Sequence, residues 1–233
     1  MTGSLLTPHG DELLDHPDAD GETVARSLNG IARANLWFGG WWAVRRGLEL
    51  VTRQLGGSVP PLTLLDIGCG DGNLAARAVR WGRRRGITIL PIGLERHPMA
   101  ARLTRDRGIP SVVGCAGALP VREKSVDIVI ASQLIHHLSE PAIVAFLRAA
   151  DRIARRGVVI ADLRRSRWAL AAFQVGARLI ALDRVTRVDG LTSIRRGFTK
   201  KELTRLVATV GAWAQLEHTP GFRLVAAWAP ESG

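Results

Sequence analysis

Apolar positions in the chain change period as it proceeds, and the change lays out the elements. Over about Glu22–Leu55 they recur every three or four residues, at Val24, Leu28 and Ile31, then through Leu36, Trp37, Phe38, Trp41, Trp42, Val44, Leu48 and Val51. That period predicts amphipathic helices. Gly39-Gly40 is expected to break the run in two. After the linker Gly56-Gly57-Ser58-Val59-Pro60-Pro61, short continuous apolar runs take over as strands: Leu62–Ile67, Ile87–Leu94, Ser111–Gly114, Val126–Ala131 and Val158–Ala161. Helical stretches fall between them over Gly72–Arg84, Pro98–Arg107 and Pro141–Ile153. Strands separated by helices require crossover connections, and so a parallel sheet.

Beyond the fifth strand the alternation stops. Arg164–Arg196 reads as an insertion with one helix over about Trp168–Leu182. Thr199 followed by Glu202 forms a capping box that opens another helix. Two last strands, about Trp213–Glu217 and Phe222–Trp228, meet at Pro220-Gly221, a hairpin-like turn. The expected organisation is an N-terminal helical cap over 1–55 and an α/β domain over 56–233, carrying a lid insertion at about 164–198.

A chain of 233 residues, 46% apolar, suits one large globular α/β unit. Its start carries Asp11, Glu12 and Asp15, not a basic stretch followed by an apolar core, so no secretory leader is expected. No apolar run is long enough to span a bilayer, and Cys69 and Cys115 do not suggest a disulfide framework. A cytoplasmic protein, monomer or homodimer, is expected. The net charge of +11 invites a nucleic-acid reading. All but three of the 32 basic residues are arginines, however, and they are scattered without the interleaved aromatics that stack on bases. Solvated surface is the better account.

The candidate chemistry gathers at the strand ends, where open α/β sheets bind ligands. Leu64-Leu65-Asp66-Ile67-Gly68-Cys69-Gly70-Asp71-Gly72-Asn73 ends a strand in alternating glycines and opens a helix. Its spacing departs from the dinucleotide fingerprint, with Asn73 where the third glycine would stand, and no Gly-Lys-Ser/Thr follows as a P-loop needs. It resembles the first motif of class I S-adenosylmethionine-dependent methyltransferases, acidic-x-G-x-G-x-G. Three later stretches are similar to that family's other motifs. Glu95, with Arg96 beside it, stands at the end of the second strand. Gly114-Cys115-Ala116-Gly117-Ala118-Leu119-Pro120 is similar to G-D-A-x-x-L-P, with Cys115 in place of the Asp. Asp127 to Leu138 follows D-x-V-x-x-x-x-x-L-H-H-L.

The resemblance implies a Rossmann-like seven-stranded sheet, six strands parallel and the last antiparallel, with S-adenosylmethionine as cofactor and S-adenosylhomocysteine as product. It implies that Gly68, Cys69 and Gly70 pass under the methionine part and that Asp66 and Ser132 serve its amino-acid end. Glu95 and Arg96 would stand at the ribose, and Cys115 and Ala116 at the adenine, where a thiol is a weaker acceptor than a carboxylate. No metal is expected. His136 is the expected general base, with His137 packed beneath the loop. Trp37, Phe38, Trp41, Trp42, Trp168 and Phe173 are the large aromatics of the expected cap; Trp37, Trp41, Trp42 and Trp168, with Asp189, Ser193 and Arg195, are expected to line the acceptor site, since a Trp-lined cap suits a flat apolar molecule. The segment Arg187–Arg196 is similar to a loop of natural-product methyltransferases. The expected reaction is methyl transfer to a hydroxyl oxygen of a small aromatic or polyketide-derived acceptor. Carbon methylation of a quinol-like ring, RNA methylation through the basic surface, and cofactor binding without catalysis are the rivals.

Overall fold

The computed structural model describes residues 28–230 apart from 29, 33, 36, 54–59, 211 and 212. Helix α1 spans Gly40–Thr52 and is preceded by a helical stretch that ends in a turn at Phe38-Gly39. The chain then alternates β1 (Leu62–Ile67), α2 (Asn73–Arg83), β2 (Ile89–Glu95), α3 (Pro98–Asp106), β3 (Ser111–Val113), β4 (Val126–Ser132), α4 (Glu140–Ile153) and β5 (Ala154–Leu163). Helices α5 (Arg167–Leu179), α6 (Arg184–Arg196) and α7 (Lys200–Ala208) precede β6 (Gln215–Thr219) and β7 (Arg223–Trp228).

The seven strands lie in the order β3-β2-β1-β4-β5-β7-β6. β1 to β5 run parallel, and β7 is antiparallel to both β5 and β6, so it alone is reversed. This is the Rossmann-like architecture expected of the sequence. Every residue of β4 is buried, as a strand covered on both faces should be. Its one acid, Asp127, accepts from the N–H and hydroxyl of Thr63 on β1 and pairs with Arg156. On one face α4 and α7 bring Phe146, Leu147, Leu203 and Leu206 against the sheet. On the other, α1 and α2 bring Val44, Leu48 and Trp81.

Two differences from the sequence reading bear on the site. The segment Arg187–Arg196, expected as a loop, lies within helix α6, capped by Asp183, whose carboxylate accepts from Thr186 N–H and its hydroxyl. Few of its residues are apolar, so periodicity hid it. The fifth strand runs past Ala161 to Leu163, which adds Asp162 to the strand end. α1, assigned to the cap, packs on β5 and β7 as a core layer. Residues 1–27 of that cap lie outside the described residues.

The carboxyl edge of the sheet is closed by a glycine contact. Gly39, at φ 77°, sits so close to the β6–β7 turn that a Cβ would stand 2.0 Å from Pro220 O. Gly221 presses back on the Phe38 carbonyl. α1 lies equally tight on the sheet, because a Cβ on Gly47 would meet Val159 Cγ1 at 2.1 Å. Gly47→Ala should therefore destabilise the fold by about 1–3 kcal/mol through overpacking, although the same change in an exposed helix gains about 1 kcal/mol. Urea unfolding of the two proteins measures it, and a stabilised variant would show that α1 has room to move.

Candidate functional site

β1 ends by turning sharply. Gly68, Gly70 and Gly72 take φ of 71°, 57° and 74°, a region that glycine enters without a Cβ clash. The turn is fastened to its neighbours. Gly68 N–H donates to Leu94 O at 2.8 Å, Gly70 N–H to Glu95 Oε2 at 2.9 Å, and Thr104 Oγ1 to Gly70 O at 2.9 Å. Beyond it opens a cavity of about 300 Å³, within the range of small-molecule sites.

Most of the expected cofactor residues line this cavity: Gly68, Cys69, Gly70, Glu95, Arg96, Cys115, Ala116 and Ser132. Glu95 also accepts from the N–H groups of Arg96 at 2.7 Å and His97 at 3.2 Å, which fixes its carboxylate at the loop. Cys115 is exposed, and its Sγ accepts from Gly117 N–H at 3.4 Å. The Cys69 thiol is buried beside Thr104, and burial, with the nearby Asp66, pushes its pKa up. It is therefore an unreactive thiol.

Asp66 is buried beneath the loop, not on the cavity wall, and its Oδ2 has no hydrogen-bond partner. Burial, with the charges of Glu95 and Asp71, pushes its carboxyl up to about 7. Ser132, at the end of β4, buries an Oγ that is likewise unpartnered. Orphaned oxygens at a carboxyl edge, beside an open glycine backbone, fit a ligand that carries an ammonium group. The unpartnered Ser132 Oγ and the glycine backbone on the cavity wall thus suit S-adenosylmethionine, which carries such a group.

The histidines follow β4 in a short 3-10 turn, Ile135–His137, and both line the cavity. Their rings stand 4.2 Å apart. Their depths are the reverse of those expected, since His136 is buried and His137 half-buried. The turn aims His136 at β5, where its Nδ1 lies 2.7 Å from Asp162 Oδ1. Asp162 also accepts from Ile135 N–H at 3.1 Å and Leu163 N–H at 2.7 Å. Burial opposes its ionisation, but His136 and these N–H groups hold its pKa below the usual carboxylate range. Sequence reasoning missed this residue because it ended the strand at Ala161, two positions too early.

The residues expected at the acceptor divide: Phe38, Phe173, Asp189 and Ser193 line the far end of the cavity, and the others do not. Trp37, Trp41, Trp42, Trp168 and Arg195 do not line it. Trp37 and Trp168 are 66% and 77% exposed. Trp41 instead lines a small surface hollow with Arg45 and Arg77. Phe38, Phe173 and Phe222 make the wall, with Asp189 and Ser193 of α6. The phenylalanines fit because small residues face them. A Cβ on Gly190 would meet Phe173 Cζ at 2.3 Å, and one on Gly176 would meet Phe38 Cζ at 2.7 Å. Arg223, which opens β7, also lines the cavity. Among the described residues no group of three or more His, Cys, Asp or Glu is placed to hold a metal, and no helix is long and apolar enough to cross a membrane.

Two outcomes test this geometry. Gly70→Val puts a β-branched residue at φ 57°, with its Cβ 3.3 Å from Leu28 Cδ2, and should abolish S-adenosylhomocysteine binding in calorimetry. Asp66 should make the ligand-free protein lose stability as pH rises. A carboxyl that titrates near 7 when folded and near about 3.9 when unfolded holds more protons in the folded state across that window, so stability falls through it. Asp66→Asn removes the penalty. Its thermal midpoint should gain on the native protein's between pH 5 and pH 8, and an unchanged gap would show that Asp66 is ionised throughout.

Comparison with known proteins agrees with this geometry. Residues 65–161, somewhat under half of the chain, match the family described as "Methyltransferase domain". A ubiquinone biosynthesis O-methyltransferase of Caulobacter vibrioides is 29% identical over 124 residues, 51% of this chain and 48% of that protein. A Mycolicibacterium smegmatis protein described as "Probable S-adenosylmethionine-dependent methyltransferase" is 28% identical over 143 residues, 61% of this chain and 51% of that protein. The chain thus spans about half the length of the curated relatives it matches. Among solved structures, the plantazolicin methyltransferase BpumL in complex with S-adenosylhomocysteine is 12% identical. It superimposes with a TM-score of 0.66, covering 91% of this chain and 95% of that one. Human N-acetylserotonin methyltransferase with S-adenosylmethionine gives a TM-score of 0.59 at 14% identity, over 89% of this chain and 56% of that one. At such identities the structures speak for the fold. Together the matched domain, the relatives and the shared fold support a class I methyltransferase that uses S-adenosylmethionine as cofactor.

Proposed function

We propose that the chain methylates a hydroxyl oxygen of a small aromatic or polyketide-like acceptor, with His136 as general base. The observation that carries this reading is the buried pair of His136 Nδ1 and Asp162 Oδ1, 2.7 Å apart at the cavity. When bound, S-adenosylmethionine supplies a methyl group on a positively charged sulfur, ready for in-line displacement by an oxygen nucleophile. Asp162, kept ionised by its hydrogen bonds, accepts from Nδ1–H and so makes Nε2 the basic nitrogen of His136. Nε2 of His136 would then take the proton of the acceptor hydroxyl. Gly68, Gly70, Glu95, Cys115, Ala116 and Ser132 hold the cofactor end, and Asp66 sets the charge beneath it. Phe38, Phe173 and Phe222 flank the acceptor with apolar rings, the first two with centroids 5.0 Å apart. In this reading α5 and α6 are the lid of the site. They pack on each other and on Phe38, and they close its acceptor end.

His136→Ala should lower kcat on a phenolic acceptor by about 10²–10⁴-fold, the usual worth of a positioned base. The loss should shrink toward pH 10, where the phenol ionises unaided. Asp162→Asn should lower kcat in the same pH-dependent way, because an amide no longer fixes the tautomer. His137→Ala should change kcat little. A pH-independent loss at His136, with a lowered thermal midpoint, would mean that the pair is structural and that positioning supplies the rate.

A further inference from the structure

Arg223 is a charged residue buried where no protein group fully answers it. It is 4% exposed and lines the cavity. Its Nε donates to Phe38 O at 2.8 Å, which ties the turn before α1 to the sheet. Its Nη1 is buried with no hydrogen-bond partner. Burial lowers its pKa to about 10, with Asp162 opposing, so the guanidinium is still charged at neutral pH. Asp162 is the acid whose charge acts on Arg223, and it, like Glu95 and Asp71 across the cavity, is already engaged. Asp162 holds His136 and two backbone N–H groups, Glu95 holds three backbone N–H groups, and Asp71 pairs with Arg107. A buried guanidinium N–H left without an acceptor is unfavourable, and a ligand anion would remove that cost. Arginine suits carboxylates in particular, through its planar fork of donors.

We infer that Arg223 is the anchor for a carboxylate on the acceptor, so that the substrate class is a hydroxylated aromatic acid. The inference rests on the proposed O-methylation, which puts the reacting hydroxyl beside His136. Because β7 is reversed, its first residue stands at the carboxyl edge of the parallel strands, two positions from β4 in the sheet order. At about 4.8 Å per strand that is roughly 10 Å, a span that a single ring with groups at its two ends can bridge from His136 to the guanidinium. The rings of Phe38, Phe173 and Phe222 line the same cavity and suit the aromatic body between them.

The test compares hydroxybenzoates and hydroxyphenylacetates with their methyl esters. Binding is measured by calorimetry in the presence of saturating S-adenosylhomocysteine, and turnover in parallel with S-adenosylmethionine. The acids should bind the native protein at least tenfold more tightly than the esters. Arg223→Gln should close that gap, and Arg223→Lys, which keeps a cation, should retain part of it. Thermal midpoints check that each variant folds, and the comparison of acid with ester in the native protein stands without either. Equal binding of acids and esters, binding of neither, or a gap that survives in Arg223→Gln would overturn the inference. Acids that bind through Arg223 but receive no methyl group would support the anchor and overturn the O-methylation reading instead.

Discussion

The structure depends on how the chain leaves β1. A central parallel strand must end with its backbone amides facing the edge, and here they are shared between the sheet and the cavity. Gly68 and Cys69 both donate to Leu94 O, which carries the β1–β2 ladder one step beyond the strands. Glu95 then reaches across to the Gly70 N–H, and Arg107 from the end of α3 holds Asp71 by its carbonyl and carboxylate. With three residues in the left-handed region, such a loop would be costly to order if it were free. Fastened at four points, it is preorganised, and the approach of a ligand to its backbone then costs little further entropy.

Three charges are buried near this edge, and they are treated differently. Asp162 is surrounded by donors, which stabilise its ionised form against burial. Asp66 has none for its Oδ2 and titrates near neutrality. Arg223 has one carbonyl and one unanswered N–H. Hydrophobic residues at the last two positions would make a more stable fold. Tension of this kind gathers at functional sites, and on the proposed reading Arg223 is answered only when the acceptor is bound.

The sequence was legible where one physical rule governed the residues. Parallel strands covered on both faces must be short apolar runs, so β1 and β4 stood out and their ends could be searched for chemistry. The capping box at Thr199 and Glu202 forms as read, with both reciprocal hydrogen bonds in place. What failed were inferences from size or periodicity alone. Trp168 and Phe173 were both read as cap aromatics because they are large, yet α5 turns Trp168 to solvent and presents only Phe173 to the cavity. α6 went unread because only Thr186, Thr192 and Ile194 are buried along its length, so its apolar stripe is thin. Its N-cap Asp183 was the available signal. Arg223 was hidden by ordinary arithmetic, as one arginine among the many that give the chain its charge.

The cavity is electrically lopsided, and the topology makes it so. Asp66, Asp71 and Glu95 all lie on the β1 and β2 side, at or next to the glycine turn. Arg223 lies at the β7 side, and it can do so only because that strand is reversed and begins where the others end. On the proposed reading a cofactor with an ammonium and a sulfonium is attracted to the first side, and an anionic acceptor to the second. Between them, the His136–Asp162 pair sits on the loop after β4 and the end of β5, the two strands that separate those sides. On the proposed reading a single sheet order therefore sorts two ligands of opposite charge and leaves the proton acceptor at their junction. Reversing the charge at either end would set each ligand against the side that now attracts it, while leaving the histidine pair in place.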